Sequence, residues 1–166
     1  RVGPARAEKP DPFRSAVERG EQSFLELIRD NDVVLARDSL VYFGHWITPD
    51  MMPKRFETHF YVAPAPPDQI AAHDGRETTD SVWIGAQAAL DAEETGEAII
   101  IFPTRMNLKK FATASSVADA VERFGRETVI TVKPQQSETP EGEPCLIIPD
   151  VEGYGQTVEL LSRVNV

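Results

Sequence analysis

Leu40-Val-Tyr-Phe-Gly-His-Trp-Ile-Thr-Pro49 and, after a short break, Arg55-Phe-Glu-Thr-His-Phe-Tyr-Val62 decide how this chain is read. The first stretch is rich in aromatic and β-branched residues and stops at Thr48-Pro49, which predicts a strand running into a turn. In the second, Phe56, Thr58, Phe60 and Val62 alternate with Arg55, Glu57, His59 and Tyr61. A period of two places the first set on a packed face and the second on a polar one.

Upstream, Gly3, Pro4 and Pro10 make residues 1–11 an irregular lead-in, and Asp11-Pro12 supplies a cap and a first helical position. Phe24, Leu25, Leu27 and Ile28 then have helical spacing, predicting a helix over about 21–30 that Asn31 ends in the left-handed conformation. Downstream, the prolines of Pro64-Ala-Pro-Pro67 make a loop, and Ser81-Val-Trp-Ile84 reads as a third short strand. Ala86–Thr95 reads as a helix stopped by Gly96, and Ile99–Phe102 as extended. Pro103-Thr104 opens a helix to about Ala112 with Met106, Leu108 and Phe111 on its apolar side. Ser115-Ser116 caps the next, where Val117, Ala120, Val121 and Phe124 recur at steps of three and four. Thr128–Val132 and Cys145–Ile148 read as strands, and Pro134–Pro144 as a mobile polar loop. The expected class is α+β, with helices packed on a mixed sheet.

At 166 residues with 41% hydrophobic content, the chain is sized for one core and has the material to fill it. Lys and Arg number 17 against 27 Asp and Glu, giving a net charge of -10. No broad basic surface is available for a phosphate backbone or an anionic bilayer, which argues against nucleic-acid and membrane partners. Cys145 is the only cysteine, so an intrachain disulfide and a multi-thiolate zinc site are both excluded. The lone cysteine suits a reducing cytoplasm, where the protein is expected, and the apolar runs are far shorter than the roughly 20 residues that span a bilayer.

His45, His59 and His73 occur singly, with none of the H-x-H or H-E-x-x-H spacings that aim two imidazoles at one ion, so no histidine metal site is expected. Cys145 reads as a small buried hydrophobe. A G-x-S-x-G elbow, a Walker loop and a G-x-G-x-x-G fingerprint are all missing from the sequence. Arg55 could clamp a phosphate bidentately or pair with Glu57 or Asp50, and the residues leave both open. Trp46 and Trp83 suit core or rim packing, with a ring stacked on adenine as the other reading.

Taken in order, Trp46-Ile-Thr-Pro49, Arg55-Phe-Glu-Thr-His-Phe60, Asp74-Gly-Arg-Glu77 leading into Trp83, Ala89-Leu90, and Phe102-Pro-Thr104 with Leu108 form a set with its own spacing. Over about residues 20–112 this set resembles the C-terminal half of Nudix hydrolases, in the branch similar to coenzyme A and acyl-CoA diphosphatases. There a W-I/L-T-P turn precedes an R-F/Y-D/E-T-x-F-F/Y strand, and an acidic segment leads to a Trp strand and a P-T helix. The resemblance implies part of a Nudix α/β/α sandwich, with residues 1–112 as the domain's C-terminal portion and 113–166 as a helix and strand extension of it. It implies Mg²⁺- or Mn²⁺-dependent hydrolysis of a nucleoside diphosphate linked to another group, with CoA or acyl-CoA favoured and 3′,5′-ADP and a phosphopantetheine as products.

The defining box, G-x5-E-x7-R-E-U-x-E-E-x-G-U, does not occur. Glu93-Glu94-Thr95-Gly96 imitates its end, but Ala89, Leu90 and Glu97 stand where Arg, Glu and an apolar residue belong. The resemblance therefore implies a box-bearing segment ahead of Arg1 and an inactive chain without it, since phosphoanhydride hydrolysis needs cations held against the phosphate oxygens. Among the residues present, it gives Glu77 the place of an added metal ligand or water-activating base. Arg55, Glu57 and Trp46 become the substrate-side candidates, with Glu57 steadying Arg55. The alternatives are a degenerate Nudix domain that binds a nucleotide or protein without chemistry, and a plain α+β interaction domain. Homodimerisation is left open.

Overall fold

The computed structural model describes residues 12–66, 73, 75, 77–150 and 154–164. They belong to two compact units, one drawn from Arg1–Ser39 and Ala65–Ile84, the other from Leu40–Pro64 and Gly85–Val166.

In the first unit, α1 (Pro12–Glu18) begins where the sequence predicts, while Asp11 and the lead-in lie outside the described residues. The second helix, α2 (Phe24–Asp30), opens on a capping box. The Ser23 hydroxyl accepts from the Glu26 amide at 3.2 Å, and the Glu26 carboxylate accepts from the Ser23 amide at 3.0 Å, so each residue satisfies an otherwise free donor. The left-handed residue is Asp32 at φ 50°, not Asn31, which sits at φ -113° and caps through its own amide. Residues 81–84 do not form a strand. Val82, Trp83 and Ile84 are extended in composition but exposed, and a strand needs a ladder partner that the described residues do not offer.

The second unit is α+β. Strand β1 (Val41–Ile47) pairs antiparallel with β2 (Glu57–Val62) and parallel with β3 (Thr131–Val132), giving the order β2-β1-β3. The alternation read for 55–62 holds in β2, where Thr58, Phe60 and Val62 turn inward and Glu57, His59 and Tyr61 outward. In β1 a bulge between Tyr42 and Gly44 sets both Phe43 and Gly44 against the core. That extra residue keeps Tyr42 and His45 on the same outer face although they are three apart.

Three helices follow: α3 (Ala86–Glu94), α4 (Phe102–Ala112) and α5 (Val117–Arg126). Gly96, at φ 77°, ends the first as expected of a glycine terminator. Helix α4 buries Phe102, Met106 and the polar Asn107, while Leu108 is only half-buried. Helix α5 buries Ala120 and Phe124 one turn apart, and its Ser116 cap accepts from the Asp119 amide. Of residues 134–144, expected as a loop, 139–143 form a turn and 135–138 are a strand. Strand β4 (Gln135–Glu138) forms a hairpin with β5 (Pro144–Ile148), and β6 (Thr157–Leu160) pairs on the far side of β5. The side chains of β4 are polar because it is an edge strand, while its backbone is satisfied by β5.

One core cluster unites Trp46, Phe102, Met106, Val132, Leu146 and Ile148; a second joins Phe43, Ala120 and Phe124. Residues beyond 113 thus complete the β1 sheet and its core.

Candidate functional site

The outer face of the β1–β2–β3 sheet gathers the unit's histidines. His45 on β1 lies directly opposite His59 on β2, and Glu57 stands two residues along the same face, opposite Ile47. Directly paired side chains approach within about 5 Å and diagonal ones within reach of a long side chain, so pairing alone brings the three together. The two imidazoles stack 4.4 Å apart at 9°. His45 Nε2 lies 3.0 Å from Glu57 Oε1. Nδ1 of each ring has a partner: His45 Nδ1 is 2.7 Å from Thr131 Oγ1 on β3, and His59 Nδ1 is 2.9 Å from Tyr42 Oη. Tyr61 extends the row, 5.2 Å from the Tyr42 ring. Burial pushes the Tyr42 hydroxyl above its ordinary pKa, with Tyr61 and Glu57 adding to the shift.

The sequence gives no motif for this cluster, because His45 and His59 are far apart along the chain. Its one signal is the hairpin, which needs the register of both strands before it can be read.

The candidates drawn from the sequence are dispersed. Arg55 sits in the turn ahead of β2, where its Nη2 is 2.7 Å from Asp50 Oδ1 and its Nε donates to the Thr48 carbonyl. Lys133 donates to the other Asp50 oxygen at 2.6 Å. That hydrogen bond, with the charges of Arg55 and Lys133, holds the Asp50 carboxyl below its ordinary pKa. Of the two readings of Arg55, the structure displays the ion pair with Asp50. Glu57 faces His45 rather than steadying Arg55. Glu77 is exposed in the first unit and is not among the groups of the histidine cluster. Trp46 is 3% exposed, with its indole N–H donating to Tyr154 Oη and its ring edge-on to Phe102, so it has no open face for an adenine.

On the inner side of the hairpin lies an apolar cleft of about 510 Å³. Trp46 to Pro49 form one part of its wall, Phe56, Thr58 and Phe60 another, and Phe102 to Thr104 a third, with Lys54 as its basic side chain. This volume is within the roughly 300–1,000 Å³ range of small-molecule sites.

The described residues bring together no all-oxygen ligand set for the Mg²⁺ implied by the resemblance. Such hard cations take oxygen ligands, whereas the metal-competent group among the described residues carries two imidazoles and one carboxylate. Among the described residues no helix is long and apolar enough to cross a membrane. Set against protein-family models, curated proteins and solved structures, the chain matches none.

Proposed function

We propose that these residues are the substrate-side part of a Nudix-type hydrolase of nucleoside diphosphate-linked compounds, with CoA or acyl-CoA as the favoured ligand. One observation carries the reading. Three of the pieces from which the resemblance is built, the W-I-T-P turn, the inward side chains Phe56, Thr58 and Phe60 of the R-F-E-T-H-F strand, and the F-P-T helix start, line a single ligand-sized cleft.

The cleft's chemistry favours the uncharged part of such a ligand. Apolar walls suit a pantetheine or acyl arm, and Lys54 offers its ammonium to an anionic group. The cation the hydrolysis needs would be Mg²⁺ or Mn²⁺, for which this chain lacks the carboxylate box, so the 166 residues alone are expected to bind CoA and not to turn it over. The second reading, a nucleotide-binding module without chemistry, is favoured by that missing box. It is separated from the first by whether added box-bearing sequence restores hydrolysis.

The test is a thermal-shift titration of the 166-residue chain with CoA, an acyl-CoA and ADP. At 100 times its dissociation constant a ligand stabilises by about 2.7 kcal/mol. Thr58→Trp, which fills the cleft from a half-buried strand position, should abolish the shift from acyl-CoA. No shift with any of the three ligands, or an acyl-CoA shift untouched by Thr58→Trp, would sink the proposal.

A further inference from the structure

We propose that His45, Glu57 and His59 form a binding site for a divalent transition metal of the zinc class, with one coordination position open to solvent. The cluster lies on the face of β2 opposite the cleft, so the inference stands apart from the CoA reading. One ligand atom from each residue lies within 4.8 Å of the others. Donors around a zinc at about 2.0–2.2 Å sit roughly 3.3 Å from one another. His45 Nε2 and Glu57 Oε1, at 3.0 Å, already have that spacing, while the ring of His59 must tilt out of its stack on His45 for its lone pair to converge on the same ion.

The stronger argument is what surrounds the rings. A metal-bound imidazole uses one nitrogen for the ion and fixes its orientation by donating from the other. Both rings have that second partner in place. Thr131 Oγ1 stands at Nδ1 of His45 and Tyr42 Oη at Nδ1 of His59, each able to accept an N–H and leave Nε2 its lone pair. All five groups stand on hydrogen-bonded strands, the bulge in β1 having brought Tyr42 into line with His45.

Donor chemistry selects the ion. Two imidazoles and one carboxylate suit Zn²⁺, Co²⁺, Ni²⁺ or Cu²⁺ and disfavour Mg²⁺ and Ca²⁺. Three protein ligands leave a fourth position for water or an exogenous donor, and the Glu57 side chain, 62% exposed, places that position toward solvent.

The 166-residue chain is titrated with Zn²⁺ alone by calorimetry and with Co²⁺ alone by visible absorption. One saturable site is expected, with the d–d bands of a low-coordinate Co²⁺ centre, and excess Mg²⁺ should not displace either ion. Glu57→Gln and His59→Gln, both exposed and so safe for folding, should weaken Zn²⁺ at least tenfold, and His73→Gln should leave it unchanged. Tyr42→Phe, which removes only a positioning hydroxyl, should weaken it about 10–100-fold and keep the Co²⁺ spectrum. No saturable binding to the unaltered chain, or affinity within twofold in His59→Gln, overturns the proposal. Loss of binding in His73→Gln would also overturn it. A CoA thermal shift measured in parallel should not respond to Tyr42→Phe, whose side chain is outside the cleft, so failure of one reading does not count against the other.

Discussion

Gly44 is the position where a single methyl group should report on the packing behind the histidine face. A Cβ there would stand 3.0 Å from Tyr154 Oη, 3.3 Å from Asn107 Oδ1 and 3.4 Å from Phe60 Cβ. Tyr154 and Asn107 cannot both retreat, because the tyrosine hydroxyl donates to Asn107 Oδ1 at 2.8 Å and accepts from the Trp46 indole at 3.3 Å. Asn107 is 4% exposed, and its Nδ2 has no acceptor among the described residues. Overpacking of this kind costs typically 1–3 kcal/mol, against which replacing glycine in a strand returns roughly 0.5–1 kcal/mol. Gly44→Ala should therefore lower stability by about 1–2 kcal/mol. Tyr154→Phe alone should lose about 1–3 kcal/mol by leaving a buried acceptor unmet, yet it removes the atom nearest the new methyl. In the double variant the Gly44→Ala penalty should shrink by about 0.5–1.5 kcal/mol. Urea unfolding of the four proteins, followed by tryptophan fluorescence and far-UV dichroism, measures the cycle. Additivity within about 0.3 kcal/mol would refute the reasoning, because it would mean the hydroxyl does not limit the space above Gly44.

Two further predictions concern charge. Arg105 bridges Glu93 on α3 at 2.6 Å and Glu159 on β6 at 2.9 Å, all three largely out of solvent, although its approach to Glu159 is not aligned as a hydrogen bond. Arg105→Ala should destabilise by about 3–5 kcal/mol by stranding two acids, and Arg105→Met with Glu93→Gln and Glu159→Gln should recover most of that; equal losses in both would refute the bridge. Asp50 and Asp119 are both held below the ordinary value of 3.8, the first chiefly by Lys133 and the second chiefly by the Ser115 amide. The folded chain thus releases these protons more readily than the unfolded one. Their stabilisation is complete above that value and is lost as pH falls through the lower folded values. Asp50→Asn and Asp119→Asn should flatten the acid limb of stability against pH, and an unchanged limb would refute their part in it.

The hairpin, the helices and the terminating Gly96 were legible because each rests on local periodicity or a local backbone requirement. What escaped is what depends on a partner. The 81–84 stretch has strand composition, yet composition does not supply a neighbour, and its apolar side chains lie exposed. Strand β4 has the reverse problem: Gln135, Gln136, Ser137 and Glu138 read as loop because an edge strand needs no apolar face. The histidine cluster belongs to the same class. The polar face of β2 was readable by alternation, but His45 reaches it through the bulge at Phe43 and Gly44, and a bulge shifts the parity that alternation relies on. The resemblance drew attention to Arg55, Glu57 and Trp46, but side-chain direction dispersed them: one to Asp50, one to His45, one into the core.

The pairing of β1 with β3 also sets a timetable. His45 meets Thr131 across 86 residues, so the sheet's parallel edge stays open while α3, α4 and α5 are still being made. At about 5–20 residues per second, synthesis leaves that edge unpaired for roughly 4–17 s after His45 emerges. A nascent chain that stalled before Thr131 would display a hairpin with one unpaired edge and with Trp46 and Phe102 lacking the cover of Val132, Leu146 and Ile148, the kind of surface that recruits chaperones or pairs with another copy. Synthesis rate in the second half of the chain is therefore a determinant of yield, independent of how stable the finished molecule is.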